Sequence, residues 1–117
     1  MQDFRNLKVW QKAHALTIAV YRATAAFPSD ERFGLTIQLR RTASSVPTYL
    51  AEGCGRESDA EFRRALSLAM GSASQLEYQL LLAHDLGYLP ALDHAQLNKE
   101  LIDVKRMTTG LIHTLKD

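Results

Sequence analysis

Residues 38–61 read QLRRTASSVPTYLAEGCGRESDAE, a helix-forming run that contains one proline and is followed by two glycines. Small or apolar residues recur every three or four positions, at Leu39, Thr42, Val46 and Leu50. This spacing is typical of a helix that buries one face. Ser58 and Glu61 fit a capping box, in which the serine oxygen accepts the N–H of the glutamate. The segment therefore predicts one helix end and the start of the next helix.

The same periodicity marks the rest of the chain. The predicted helices span about residues 7–27, 30–53, 59–86 and 91–115. Helices of this length joined by short links fold most simply as an antiparallel up-down four-helix bundle. The sequence therefore predicts an all-α fold, and its 117 residues have a common size for a single domain, 1–117.

Two residues are unfavourable inside these helices. Pro47 lacks the N–H that would bond the carbonyl of Ala43, so we expect a bend there, with Ser44 or Ser45 satisfying the freed oxygen. Gly71 should cost about 1 kcal/mol relative to alanine. We therefore expect another helix to cross closely at Gly71.

The second helix is predicted to end at Gly53 or Gly55, because glycine readily adopts the left-handed conformation of a helix end. Cys54 lies between them and is the only cysteine, so it can form no disulfide within the chain. This cysteine usage is typical of a reducing cytoplasm. A helix C-terminus raises the pKa of a thiol, which favours a small, partly buried residue over an activated nucleophile.

Composition restricts the class of protein. The chain is 46% hydrophobic and 23% charged, as expected of a soluble globular protein, and no apolar run approaches the roughly 20 residues that span a membrane. The N-terminus has an early acid and no apolar core, so we expect no signal peptide.

The net charge is +1, with +3 over residues 1–29 and −2 over 58–89. A protein that binds nucleic acid chiefly through phosphates normally has a clearer basic excess.

Searching for catalytic chemistry gives no centre. No Glu-x-x-His motif of a di-iron bundle and no His-x-x-x-His pair for zinc occurs. The segment at 53–55 also lacks the length and the lysine of a phosphate-binding loop. We therefore expect no metal, no cofactor and no enzymatic activity.

The charged residues around the proline segment allow two interpretations. Arg40 and Arg41 point about 100° apart on a helix, so one can face solvent while the other reaches a neighbouring helix or subunit. A structural interpretation places the following residues in salt bridges and caps: Arg41, Glu52, Arg56, Glu61 and Glu77. A functional interpretation makes a phosphate-contacting surface of five arginines, since guanidinium groups grip phosphate oxygens in two places: Arg40, Arg41, Arg56, Arg63 and Arg64.

Helix one has an unusually wide apolar face. Trp10 and Tyr21 lie beside the row of residues predicted to be buried. They widen the face beyond the needs of one intramolecular contact. Both are therefore candidates for a subunit interface.

Several segments together resemble the bacterial four-helix bundle proteins called 23S rRNA intervening-sequence proteins. These segments are Leu7-Lys8-Val9-Trp10-Gln11, Gln38-Leu39-Arg40-Arg41, Ser45-Val46-Pro47, Ala51-Glu52-Gly53, Gly55-Arg56, Leu76-Glu77 and Leu86-Gly87-Tyr88. Family patterns often have asparagine where this chain has Tyr49. The resemblance covers nearly the whole chain.

The resemblance implies a cytosolic four-helix bundle that assembles as a ring-shaped homopentamer, with no established catalytic activity. The family takes its name from reading frames within insertions in ribosomal RNA genes, which implies an RNA-related role. The chain is also similar to the accessory protein of diversity-generating retroelements, a basic pentameric bundle that binds a reverse transcriptase and nucleic acid. Our first hypothesis is a non-enzymatic assembly or adaptor protein that docks a protein or RNA partner. The alternative is an RNA-binding accessory protein.

Overall fold

The structure is a computed structural model that describes residues 2–115. Four α-helices and two 3-10 turns make up its regular structure: α1 Lys8–Thr24, α2 Leu35–Cys54, α3 Asp59–Asp85 and α4 Ala91–Thr114, with the turns at Phe4–Asn6 and Ser29–Glu31. Within the described residues there is no strand, which confirms the predicted all-α fold. No helix in this part of the chain combines the length and the apolar character needed to cross a membrane.

The helices form a closed square. Each helix contacts its neighbours along the chain and α1 also contacts α4, whereas the diagonal pairs α1–α3 and α2–α4 make no contact within residues 2–115. Hydrogen-bonded pairs between helices α1 and α2 include Thr17 with Ala43 and Thr24 with Arg40, and those between α3 and α4 include Met70 with Thr109 and Glu77 with Lys105. Residue numbers rise along one helix as they fall along the other, so α1–α2 and α3–α4 are antiparallel pairs. This arrangement is compatible with an up-down bundle.

The centre of the square is filled by one cluster of apolar side chains drawn from all four helices. Its fully buried members include Leu16, Leu39, Leu76 and Leu101. Burying each such leucine contributes about 1.5–3 kcal/mol relative to leaving it exposed. The positions that the three-and-four periodicity marks as inward-facing are therefore the ones that hold the bundle together.

Helix boundaries follow local capping chemistry. At the start of α3, Oγ of Ser58 accepts the N–H of Glu61 at 3.1 Å, as the capping-box pattern predicts. Helix α2 begins at Leu35, five residues later than predicted, because Gly34 has non-helical dihedrals (φ −111°, ψ −113°). The N–H of Leu35 instead bonds Oε1 of Glu31 at 3.0 Å. Helix α1 ends at Thr24, three residues before the predicted end.

The left-handed helix end lies after α3 rather than after α2. Gly87 has φ of 82° and is the single described residue with a positive φ. Gly55, which follows α2, has φ of −87°, and Gly53 lies inside the helix. The predicted end of the second helix is therefore confirmed at Gly55, but the left-handed conformation expected of glycine there is not adopted.

Candidate assembly surface

An open apolar groove runs between α1 and α2 on the outside of the bundle. Its cavity volume is about 450 Å³. The side chains that line it are Phe4, Trp10, His14, Thr17 and Tyr21 on one wall, and Ser44, Pro47, Thr48 and Ala51 on the other. Positions 10, 14, 17 and 21 are spaced by four, three and four residues, which places them on one face of α1. The groove therefore brings both predicted interface residues, Trp10 and Tyr21, to the same surface as Pro47.

An aromatic stack holds one end of the groove in place. Trp10 lies almost parallel to His14, with ring centroids 4.9 Å apart, and Phe4 packs edge-on against Trp10 at 4.8 Å. The 3-10 turn that carries Phe4 is capped by Asp3, whose carboxylate accepts the N–H of Arg5 at 3.0 Å. This backbone hydrogen bond lowers the pKa of Asp3. These contacts therefore fix the position of the Trp10 side chain in the wall of the groove.

The other wall of the groove contains the proline of α2. The carbonyl of Ala43, which has no N–H partner at Pro47, accepts instead from Oγ1 of Thr17 on α1 at 3.1 Å. Ser44 and Ser45 donate to the carbonyls of Arg41 and Thr42.

The prediction that Ser44 or Ser45 satisfies the freed carbonyl is therefore wrong. The hydroxyl of Thr17 also lies 2.8 Å from the carbonyl oxygen of Ala13, so it sits between two acceptors. Thr17 of α1 thus bonds the carbonyl that Pro47 leaves free in α2, and this hydrogen bond joins the two helices.

Arg40 closes the far end of the groove and is half-buried. Its Nε donates to Oγ1 of Thr24 at 2.8 Å, and its Nη2 donates to the carbonyl of Tyr21 at 3.2 Å. The guanidinium carbon also lies 4.9 Å from the centroid of the Tyr21 ring. Arg40 therefore reaches the neighbouring helix while Arg41 is exposed, as expected from their 100° separation.

The five arginines proposed as a phosphate surface have different surroundings. Arg56 bonds Oε1 of Glu52 at 2.8 Å, which raises the pKa of Arg56. Arg63 is half-buried and donates to the carbonyl of Leu115 at 2.6 Å, near the end of α4. Arg41 and Arg64 are exposed and form no ion pair within residues 2–115.

The acidic members of the predicted salt-bridge set are also divided. Glu52 and Glu61 lie beside Arg56 and Arg64 around one small cleft of about 190 Å³. Glu77 instead pairs with Lys105 of α4 at 2.8 Å, near the middle of the bundle. Of the predicted set, the Glu52–Arg56 pair lies at the α2–α3 corner, while Arg41 and Glu61 form no ion pair in the described part of the chain.

Close packing, rather than turn formation, accounts for the glycine in the segment Ala51-Glu52-Gly53. A methyl group at Gly53 would lie 2.7 Å from Cδ1 of Phe62 and 3.1 Å from Cβ of Ala65. Only glycine therefore lets α2 approach α3 this closely. At Gly71, by contrast, a methyl group would meet no described atom within 4 Å, and Gly71 is exposed. The expected helix crossing at Gly71 is absent from the described chain.

Cys54 is 3% exposed, and burial raises the pKa of its thiol. A buried thiol of raised pKa is a weak nucleophile at neutral pH.

Among residues 2–115 no three side chains of the His, Cys, Asp or Glu type gather as they would around a metal ion.

Two histidines that the sequence places on different helices meet in the structure. The rings of His84 and His94 stack with centroids 4.7 Å apart, and Nδ1 of His84 lies 3.0 Å from the carbonyl oxygen of Leu89. Both flank the short α3–α4 link at similar distances along the chain. An antiparallel pairing of those helices is the signal that could have predicted this contact.

The fold and its outer groove define a four-helix bundle protein that leaves aromatic side chains uncovered on one face. The chain belongs to the 23S rRNA-intervening sequence protein family, whose profile it matches over residues 5–110. Comparison with the curated proteins finds no significant match. A crystal structure of a protein of unknown function from the S23 ribosomal protein family of Bacteroides thetaiotaomicron is similar in fold, with a TM-score of 0.80. The two sequences are 20% identical, and the alignment covers 89% of this chain and 97% of that chain.

Proposed function

We propose that this protein is a non-enzymatic assembly protein whose copies form a homopentameric ring that serves as an adaptor for other macromolecules. The observation that carries the proposal is the apolar groove between α1 and α2, where Tyr21 is 45% exposed and Trp10 is half-buried. No helix within residues 2–115 covers this groove. Tyrosine and tryptophan are enriched at protein interfaces, because each combines a large apolar ring with a polar group.

The charged side chains of the proline segment support an architectural role. Arg40 is engaged with two groups of α1, and Arg56 with Glu52. Arg40 thereby joins α2 to α1, whereas the Arg56–Glu52 pair lies between residues one turn apart at the end of α2. Burial of the Cys54 thiol removes the most nucleophilic side chain of this segment from solvent.

Two parts of the proposal rest on the sequence. The pentameric state is the one that the family resemblance implies. The cytoplasmic location rests on the single cysteine, which can form no disulfide within the chain.

Light scattering after size-exclusion chromatography tests the assembly directly. At micromolar concentration we expect five times the chain mass of 13.1 kDa. Tyr21→Glu should reduce that mass, because a carboxylate would be forced into an apolar contact. The control is Phe33→Glu, since Phe33 is 82% exposed and does not line the groove. A monomeric wild-type protein would refute the proposal, and dissociation by the Phe33 variant alone would show that the chosen surface is wrong.

A second candidate function, RNA binding, is favoured by Arg41 and Arg64 of the predicted phosphate surface, which form no ion pair within residues 2–115. Arg41 and Arg64 are exposed, and five copies in a ring would multiply a weak basic patch through avidity. Fluorescence anisotropy with a labelled 23S rRNA fragment should then show affinity that falls with salt.

Arg41→Ala and Arg64→Ala should each reduce the slope of log affinity against log salt by about 1 for every RNA phosphate that the arginine neutralises. Arg32→Ala is the charge-matched control, because Arg32 is exposed on the α1–α2 link. Binding that is absent at low salt, or that is unchanged in the Arg41 and Arg64 variants, would exclude this function.

A further inference from the structure

A second exposed apolar surface lies on the opposite side of the bundle from the α1–α2 groove. Tyr78 is 61% exposed and Leu81 is 45% exposed, and both line a groove of about 410 Å³ between α3 and α4. Because neither diagonal pair of helices touches within the described residues, the α1–α2 and α3–α4 pairs face away from each other. One chain therefore carries two separate apolar faces.

The exposed charges that form no ion pair near these two faces differ in sign. Other charges of the same helices are neutralised within the chain, since Lys12 pairs with Asp103 and Glu77 pairs with Lys105. On α1, Lys8 and Arg22 are exposed and form no ion pair within residues 2–115. At the α3–α4 end, Asp85 and Asp93 are likewise exposed without an ion-pair partner in that range.

Helical spacing places apolar and charged residues side by side on each face. On α1, Ile18, Tyr21 and Arg22 are exposed neighbours one turn apart. On α3, the exposed residues Tyr78, Leu81 and Asp85 follow the spacing of three and four that defines one helix face. Each face thus places an exposed charge beside its apolar residues, Arg22 on the α1 face and Asp85 on the α3–α4 face.

We propose that the subunit contact is heterologous, with the α1 face of one copy (Ile18, Tyr21 and Arg22) packing against the α3–α4 face of the next (Tyr78, Leu81 and Asp85). This inference rests on the proposed homo-oligomer and names the surfaces that build it. A two-fold contact of either face with itself would place like charges together. A contact between two different faces joins opposite charges, and it generates a ring when the rotation between copies closes.

Mixing two complementary variants tests the pairing. Tyr21→Glu combined with Arg22→Glu disables the α1 face, and Tyr78→Glu combined with Leu81→Glu disables the α3–α4 face, so that the two disabled faces repel each other. Each variant alone should be a monomer, because every contact in the ring needs both faces. An equimolar mixture should give a 1:1 heterodimer of twice the monomer mass in native mass spectrometry, because one intact face of each kind remains.

The alternatives give different masses. If either face paired with its own copy, the variant that keeps that face intact would dimerise alone, and the heterologous contact would be refuted. A wild-type oligomer together with no heterodimer in the mixture would also refute it, while the proposed assembly would stand. A monomeric wild-type protein would instead refute the assembly itself.

Folding of the variants is checked by far-UV circular dichroism, which should be unchanged because all four positions are exposed. Arg22→Glu alone and Leu81→Glu alone provide milder substitutions if a double variant does not fold. The same heterodimer is expected when these two single variants are mixed at high concentration, and its absence would count against the pairing in the same way.

Discussion

Helices α2 and α3 each contain residues that are unfavourable in a helix, but the surroundings of these residues differ between the two helices. In α2, the carbonyl freed by Pro47 is bonded by Thr17, and the space left by Gly53 is filled by Phe62. In α3, Gly71 faces outward with no atom of the described chain near the position of a methyl group. The difference shows that both irregular residues of α2 have a partner within the chain, and that packing requires glycine at position 53, whereas no described contact requires it at position 71.

The largest effect is expected at Gly53. Gly53→Ala would place a methyl group 2.7 Å from Cδ1 of Phe62, so α2 and α3 must separate or Phe62 must change rotamer. Overpacking of this kind typically costs about 1–3 kcal/mol, and the short distance leads us to expect a loss of about 2–3 kcal/mol in the free energy of unfolding. Urea unfolding at a fixed chain concentration measures the change in the free energy of unfolding.

Gly55→Ala is the matched control for the clash at Gly53. Gly55 has a negative φ and its nearest contact to an added methyl group would be 3.4 Å, so we expect a change within about 0.5 kcal/mol. Phe62→Leu in the Gly53→Ala background should recover part of the loss, because a smaller side chain leaves room for the methyl group. Equal losses at Gly53 and Gly55 would show that close packing with Phe62 is not the cause.

A smaller loss is expected at Thr17, which is 8% exposed. Thr17→Val keeps the shape of the side chain but leaves the carbonyl of Ala43 without a hydrogen bond. An unsatisfied buried acceptor costs about 1–3 kcal/mol, and we expect about 1–2 kcal/mol because Thr17 shares its proton with a second carbonyl. Thermal or urea unfolding checks the value.

A double-mutant cycle with Pro47→Ala isolates the cause of this loss. Alanine at position 47 restores an N–H that can bond the carbonyl of Ala43, so Thr17→Val should cost less in that background. Thr108→Val is the control, because its hydroxyl bonds only the carbonyl of Val104 within α4, which also has a helical N–H partner. An equal cost of Thr17→Val with and without Pro47 would disprove the compensation.

These positions also show how much of the molecule could be predicted. Spacing of three and four residues predicts the four helices and their inward faces, and the capping box predicts the start of α3, because both are local properties of the sequence. The partner of the Ala43 carbonyl could not be predicted, since Thr17 lies 26 positions away on another helix.

The same limit applies to the glycines and the arginines. Which glycine permits close helix approach depends on how α2 and α3 are rotated about their axes, and so the prediction chose Gly71 where the structure has Gly53. Likewise, the 100° separation of Arg40 and Arg41 predicts that one faces inward, but the position of α1 decides that it is Arg40.

The smallest effect is expected at Gly71. Gly71→Ala should stabilise the folded chain by about 0.5–1 kcal/mol, since alanine lowers the conformational entropy of the unfolded state and meets no described atom. Gly110→Ala on α4 is the matched control, because Gly110 is also exposed with nothing within 4 Å of an added methyl group. In a monomeric chain both variants should therefore gain the same stability. A different result would be a gain in stability at Gly110 together with weaker self-association in the Gly71 variant alone. That result would mean that a neighbouring copy occupies the space beside α3. The neighbouring copy would then provide the close helix approach that the single chain does not.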